Sequence, residues 1–223
     1  MRAWTRAHGF TSGATRLAEA VRELQLPEEG TSQISPRLRC YCRGMSGARV
    51  LILHGSPGSG KTTLARAISQ QLGAADIPHG VIDADELNLA FPSPMRDLWL
   101  ANLAAIWPNY VQVPDIHMVI ATVVADAERL EQLRAAVPAE TFVVCELTAP
   151  IDVLKARVTA REPTDRMRAG LRAWVDHHSA RTDLEGIRDV LVSTHDRPEA
   201  EAAREVLQVV GWMAPERSDA GAE

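Results

Sequence analysis

The segment Gly55-Ser56-Pro57-Gly58-Ser59-Gly60-Lys61-Thr62 constrains this chain more tightly than any other. It stands between the apolar run Val50–Leu53 and a helical pattern that begins at Lys61, with Thr63 next in line. Glycines here let successive backbone N–H groups turn inward around a polyanion, and the first turn of the following helix adds partial positive charge. Lys61 supplies a compact ammonium for β- and γ-phosphates, and the Thr62 hydroxyl is a ligand for Mg²⁺. Strand, glycine loop and helix in this order, with the spacing Gly-x-x-x-x-Gly-Lys-Thr, make a phosphate-binding loop. Chance produces such a string in roughly one chain per thousand of this composition. The 24 basic residues include only two lysines, and Lys61 falls where this chemistry wants one; the other is Lys155. The competing reading, a glycine-rich turn that binds nothing, leaves that coincidence unexplained. The segment predicts binding of ATP with Mg²⁺ through Gly55, Ser56, Pro57, Gly58, Ser59, Gly60, Lys61, Thr62 and Thr63.

Around the loop, short β-rich apolar runs alternate with helical ones. Strands are expected at Arg49–His54, Gly80–Asp83, His117–Val124, Thr141–Leu147 and Val190–Thr194. Helices are expected at Lys61–Leu72, Pro94–Trp107, Asp126–Ala136, Pro150–Arg161, Asp165–Thr182 and Pro198–Val210. Ser93-Pro94 suits an N-cap with proline at the first helical position, and Gly73 suits a helix stop. Continuous apolar strands separated by helices imply a parallel sheet covered on both faces, a three-layer α/β/α domain. That domain is placed at residues 45–213, with a flexible tail at 214–223. Residues 1–44 carry seven Arg against four Glu and read as a weakly structured extension. Within it Thr15–Leu26 is a helix candidate and Pro27–Pro36 a linker, and Met45 is a possible alternative start.

Composition narrows the function. With 46% hydrophobic and 24% charged residues, disordered and fibrous classes are excluded. A net charge of −5 lacks the basic footprint of a general nucleic-acid binder. No run approaches the roughly 18 apolar residues of a membrane span, and the first 20 residues lack the apolar core of a secretory signal. Cys40, Cys42 and Cys145 form neither a disulfide framework nor a zinc site. A cytoplasmic protein is the expectation.

Past the loop, Val81-Ile82-Asp83-Ala84-Asp85-Glu86 places two carboxylates two residues apart at the end of a strand. In an extended chain both point to one side, and at the carboxyl edge of an open α/β sheet that side faces the ligand crevice. There a carboxylate can take a proton from a hydroxyl or hold Mg²⁺, directly or through water. Helix capping is the plainer alternative for both. No guanine-recognition Asn-Lys-x-Asp motif occurs.

The phosphate loop, this Asp-x-Asp segment and a later Arg-rich stretch together resemble the small P-loop kinases of the shikimate kinase, gluconate kinase, adenylylsulfate kinase and chloramphenicol phosphotransferase group. The likeness covers residues 49–210, and Asp85-Glu86-Leu87-Asn88-Leu89-Ala90-Phe91-Pro92 is similar to the segment carrying the catalytic Asp of chloramphenicol phosphotransferases. It implies a sheet of order 2-3-1-4-5, a mobile lid near 157–172, and transfer of the ATP γ-phosphoryl to a hydroxyl of a small acceptor. Lys61, Asp85, Arg157 and Arg161 would then be catalytic, with Thr62 and Asp83 at the metal. Arg157 falls where related kinases place an arginine near the adenine. Five arginines, Arg157, Arg161, Arg166, Arg168 and Arg172, crowd this stretch; a solvated helix face is their plainer reading. In the same kinases the loop Ser193–Pro198 lies over the adenine, where His195 or Arg197 can pack. Asp126 is a weaker metal candidate. Trp99, Leu103, Ile106 and Trp107 share a helical spacing that suits either core packing or an aromatic wall for the acceptor. A nucleoside or nucleotide acceptor is the main variant, and an ATPase or switch acting through a partner is the alternative function. The kinase is expected as a monomer or homodimer.

Overall fold

Alternate residues of Arg49–Gly55 (β1) enter two different cores. Val50 and Ile52 join one, Leu51 and Leu53 the other, and all four are fully buried. A strand buried on both faces belongs in the middle of a parallel sheet. The computed structural model, which describes residues 47–214 apart from 93, 94 and 96, puts it there. The sheet runs β2-β3-β1-β4-β5, all parallel, with His79–Asp83 as β2, His117–Ala121 as β3, Thr141–Thr148 as β4 and Val190–Ser193 as β5. The expected order is therefore borne out.

Helices cover both faces. Lys61–Ala74 (α1) and Glu199–Val209 (α6) bury Leu64, Ile68, Leu72, Val206 and Leu207 against Leu51, Leu53 and Val192. Leu98–Tyr110 (α2) and Ala127–Ala136 (α3) bury Leu103, Trp107, Leu130 and Leu133 against Val50, Ile52 and Ile120. Each such aliphatic side chain contributes roughly 1.5–3 kcal/mol when removed from water. Ile151–Arg161 (α4) and Asp165–Ser179 (α5) share a third, small cluster of Leu154, Val158 and Val175.

Several ends differ from expectation. Gly73 is not a stop: α1 runs to Ala74, and the turn is made by Asp76 in the left-handed region, φ 56°. β3 ends at Ala121 rather than Val124, where its pairing with both neighbours stops, at Leu53 of β1 and Asp83 of β2. α2 begins at Leu98, since Asp97 is non-helical and is held by an ion pair from Arg129 at 2.7 Å. The proposed cap Ser93-Pro94, residues 1–44 and most of the tail lie outside the described residues. Among the described residues no helix is long and apolar enough to cross a membrane.

Candidate active site

Three of the loop's glycines take positive φ: Gly55 at 145°, Gly58 at 81° and Gly60 at 89°. At Gly58 space adds a second demand, because a Cβ there would meet the Leu154 carbonyl oxygen of α4 at 2.8 Å. The loop therefore lies hard against α4 and opens on its other side. Gly60 caps α1 without a side-chain bond, so the first N–H groups of α1 face the opening. Lys61 folds back and donates to the carbonyls of Gly55 at 2.9 Å and Ser56 at 3.2 Å. Burial pulls its ammonium down to about 8; Asp85 and Asp83 oppose that, and Arg161 adds to it. The Ser59 hydroxyl is buried with no partner. A buried cation with only carbonyls to bind and an orphaned hydroxyl beside it are the marks of an anion cradle.

Asp83 ends β2 and faces Thr62. The Thr62 hydroxyl donates to its Oδ2 at 2.6 Å, and the Asp85 N–H donates to its Oδ1 at 3.1 Å. Asp85 is not in an extended chain; its φ of −65° and ψ of −35° are helical, and it opens the short 3₁₀ turn Glu86–Asn88. Its side chain nonetheless makes no capping bond, and among the described residues its carboxylate has no hydrogen-bond partner. The capping alternative thus fits Asp83, through the Asp85 N–H, better than Asp85. Thr62 and Asp83 present hard oxygen donors, the set that suits Mg²⁺.

Lys61, Thr62, Asp83 and Asp85 line one cavity of about 380 Å³, closed on the far side by Arg157, Arg161 and Leu171 of the α4–α5 hairpin and by Thr194 and Arg197. Arg157 is strongly bound to protein. Its guanidinium donates to the Gly58 carbonyl at 3.2 Å and to the Thr194 hydroxyl and carbonyl at 3.1 and 2.9 Å. Thr194 in turn donates to the Ser59 carbonyl at 3.0 Å, so one threonine ties β5 to the phosphate loop. Arg161, with 64% of its side chain exposed, pairs with Glu162 at 2.8 Å at the end of α4.

The other singled-out residues separate. Arg197 reaches the cavity wall but is paired with Glu201 at 3.3 Å and with Glu205, both on α6. His195 pairs with its neighbour Asp196 at 2.9 Å. Arg168 is used on the Glu162 carbonyl and on Asp165, while Arg166 and Arg172 are exposed. Asp126 is an N-cap, accepting the Arg129 N–H at 2.7 Å, and lies off the cavity. Leu103 and Trp107 are core, with Trp99 and Ile106 packed on it, so that stripe is packing. Thr194 was invisible in the sequence, where a lone threonine after a strand has no signal. His54 and His178 were also missed; a polar residue in a fully buried strand was the clue that His54 needs a partner.

This geometry is that of a P-loop protein. A family model described as "ATPase family associated with various cellular activities (AAA)" matches residues 51–99, the segment from β1 to the start of α2. Among solved structures the fold matches a gluconokinase from Sinorhizobium meliloti at 21% identity and TM-score 0.51, over 74% of this chain and 92% of that one. It matches the Mycobacterium tuberculosis APS kinase in complex with AMPPNP and APS at 19% and 0.51, over 74% and 99%. It also matches a shikimate kinase from Bacteroides thetaiotaomicron at 18% and 0.52, over 74% and 99%. No curated protein matches the sequence. The chain has the fold of the small P-loop kinases, as its sequence resemblance implies.

Proposed function

We propose that the protein is an ATP-dependent phosphotransferase that moves the γ-phosphoryl group to a hydroxyl of a small-molecule acceptor. The observation that carries the reading is Asp85: a carboxylate without a hydrogen-bond partner among the described residues, on the same cavity as the Lys61 ammonium and the glycine loop. A carboxylate there can orient an attacking hydroxyl and accept its proton. The loop N–H groups and Lys61 hold the polyphosphate, and Thr62 with Asp83 holds Mg²⁺, which when bound neutralises charge on the β- and γ-oxygens. Asp85 orients the acceptor O–H in line with the γ-phosphorus. The acceptor oxygen–phosphorus bond forms as the bond to the ADP oxygen breaks, and the hydroxyl proton passes to Asp85. Arg161 meets the equatorial oxygens from the hairpin, where a guanidinium fork matches their geometry. Arg157 braces the loop and offers its face to the nucleoside, beside Arg197.

The test is a screen of hydroxyl-bearing metabolites, nucleosides and nucleotides included, for ATP-dependent gain of one phosphate by mass. A product formed only with protein, ATP and Mg²⁺ together supports the reading. Hydrolysis of ATP that no acceptor accelerates would point instead to an ATPase or switch that works through a partner.

A further inference from the structure

Behind the phosphate loop lies a pair of histidines that the proposed chemistry leaves unused. His54 immediately precedes Gly55 and is fully buried; His178 is buried near the end of α5. The Val124 N–H donates to His54 Nδ1 at 2.9 Å, which leaves the His54 proton on Nε2. That N–H points to His178 Nε2 at 3.4 Å, so His178 carries its own proton on Nδ1. The ring centroids are 5.2 Å apart and tilted by 48°. His54 keeps Nδ1 bare to accept the Val124 N–H and His178 keeps Nε2 bare to accept the His54 N–H, so both rings stay neutral. Their surroundings keep them so. Burial first, then the other ring, Arg181 and Lys61, lower His54 to about 3; burial, then Arg181, Lys61 and His177, lower His178 to about 4, and Asp183 opposes both shifts.

The pair joins two parts of the site that nothing else in α5 joins. α5 packs on α4 through Val175 and Leu171, and through a Lys155–Asp176 ion pair at 2.5 Å. Among the hydrogen bonds of the described residues, His178 to His54 is the one from an α5 side chain to the sheet. Just beyond α5, Arg181 donates to the Val124 carbonyl at 2.8 Å, so Val124 is gripped at its N–H by His54 and at its oxygen by Arg181. The other end of the hairpin carries Arg161 over the cavity. We propose that His178 is a positioning residue: by accepting the His54 N–H it sets the angle of the α4–α5 hairpin over the phosphate cavity, and with it the placement of Arg161. The inference goes beyond the phosphotransferase reading and rests on it only for the ATP readout.

Two measurements on the full chain test it. In ¹⁵N-histidine NMR spectra of the wild type, both rings should be neutral from pH 7 to 5, with the proton on His54 Nε2 and His178 Nδ1. Rings titrating near 6.5, or the opposite tautomers, would overturn the proposal whether or not any variant folds. His178→Gln keeps an acceptor for the His54 N–H, whereas His178→Leu fills the space without one. Leaving that buried donor unpaired should weaken ATP binding about tenfold and speed amide exchange across 165–179 about tenfold. The Gln variant should stay within about threefold of wild type on both counts. A Leu variant equal to wild type, or Leu and Gln equally impaired, would overturn it. If the wild type binds no ATP, the phosphotransferase reading falls, while exchange and NMR still decide the role of His178.

Discussion

Lys61 is a cation held in readiness for an anion. Its Nζ has only the Gly55 and Ser56 carbonyls to bind, and burial brings it down to about 8. Bound phosphates restore its charge, so ATP affinity should fall as pH rises through about 8, as titration calorimetry at pH 7 and 9 will show. Lys61→Ala should lower turnover by roughly 10²–10³-fold with little change in melting temperature, because the loss is one of transition-state charge stabilisation. Near-wild-type turnover in that variant would remove the loop from the mechanism. The two aspartates should divide by role. Asp85→Asn should cut kcat strongly and spare ATP affinity if Asp85 orients the acceptor as proposed, since its side chain makes no capping bond. Asp83→Asn should raise the Mg²⁺ requirement and be partly rescued by excess Mg²⁺, since its carboxylate is already engaged with Thr62. The reverse pattern in a magnesium titration would exchange the two assignments.

At the level of elements, the phosphate loop is braced from behind by a joint between α4 and the end of β5. Arg157 contributes three hydrogen bonds to that joint and Thr194 receives two of them. Arg157→Met keeps an unbranched apolar stem and removes the donors. It should destabilise the fold by about 1–2 kcal/mol, lowering Tm by roughly 2–8 °C in thermal melts. Because the joint fixes Gly58 and Ser59, the same variant should also weaken ATP binding. A Tm and an ATP affinity both equal to wild type would show that the joint carries no load. The elements themselves were largely legible. Each expected strand and helix among the described residues exists, since apolar periodicity decides burial and burial decides the element. Ends were less so. Gly73 suits a stop, yet α1 runs through it to Ala74, because Asp76 takes the left-handed turn instead.

Across the whole molecule, buried neutral histidines make stability depend on pH. The folded pKa values of His54 and His178, about 3 and about 4, lie below the 6.5 of an unfolded chain. Below pH 6.5 the unfolded state therefore takes up protons that the folded state refuses, and stability falls until pH reaches about 4 for His178 and about 3 for His54. Between pH 7 and 5 the two rings together should cost on the order of 3–4 kcal/mol. Urea unfolding at the two pH values measures it, and His178→Gln should remove about half of the difference. A flat profile would show that the rings charge freely in the native state.

What the sequence by itself determined is the part encoded in short-range pattern. The phosphate loop needs glycines, a lysine and a threonine at set spacing between a strand and a helix, and all of these are contiguous in the chain. Alternation of buried strands with amphipathic helices likewise determined a parallel, doubly covered sheet. What only the tertiary structure decided are contacts between residues far apart in the chain. Arg157 reaches Gly58 and Thr194, Thr62 reaches Asp83, and His178 reaches His54 across 124 positions. Periodicity says which face of an element is buried. It does not say which residue stands opposite, because that depends on strand order and helix angle, which are settled by packing of the whole core.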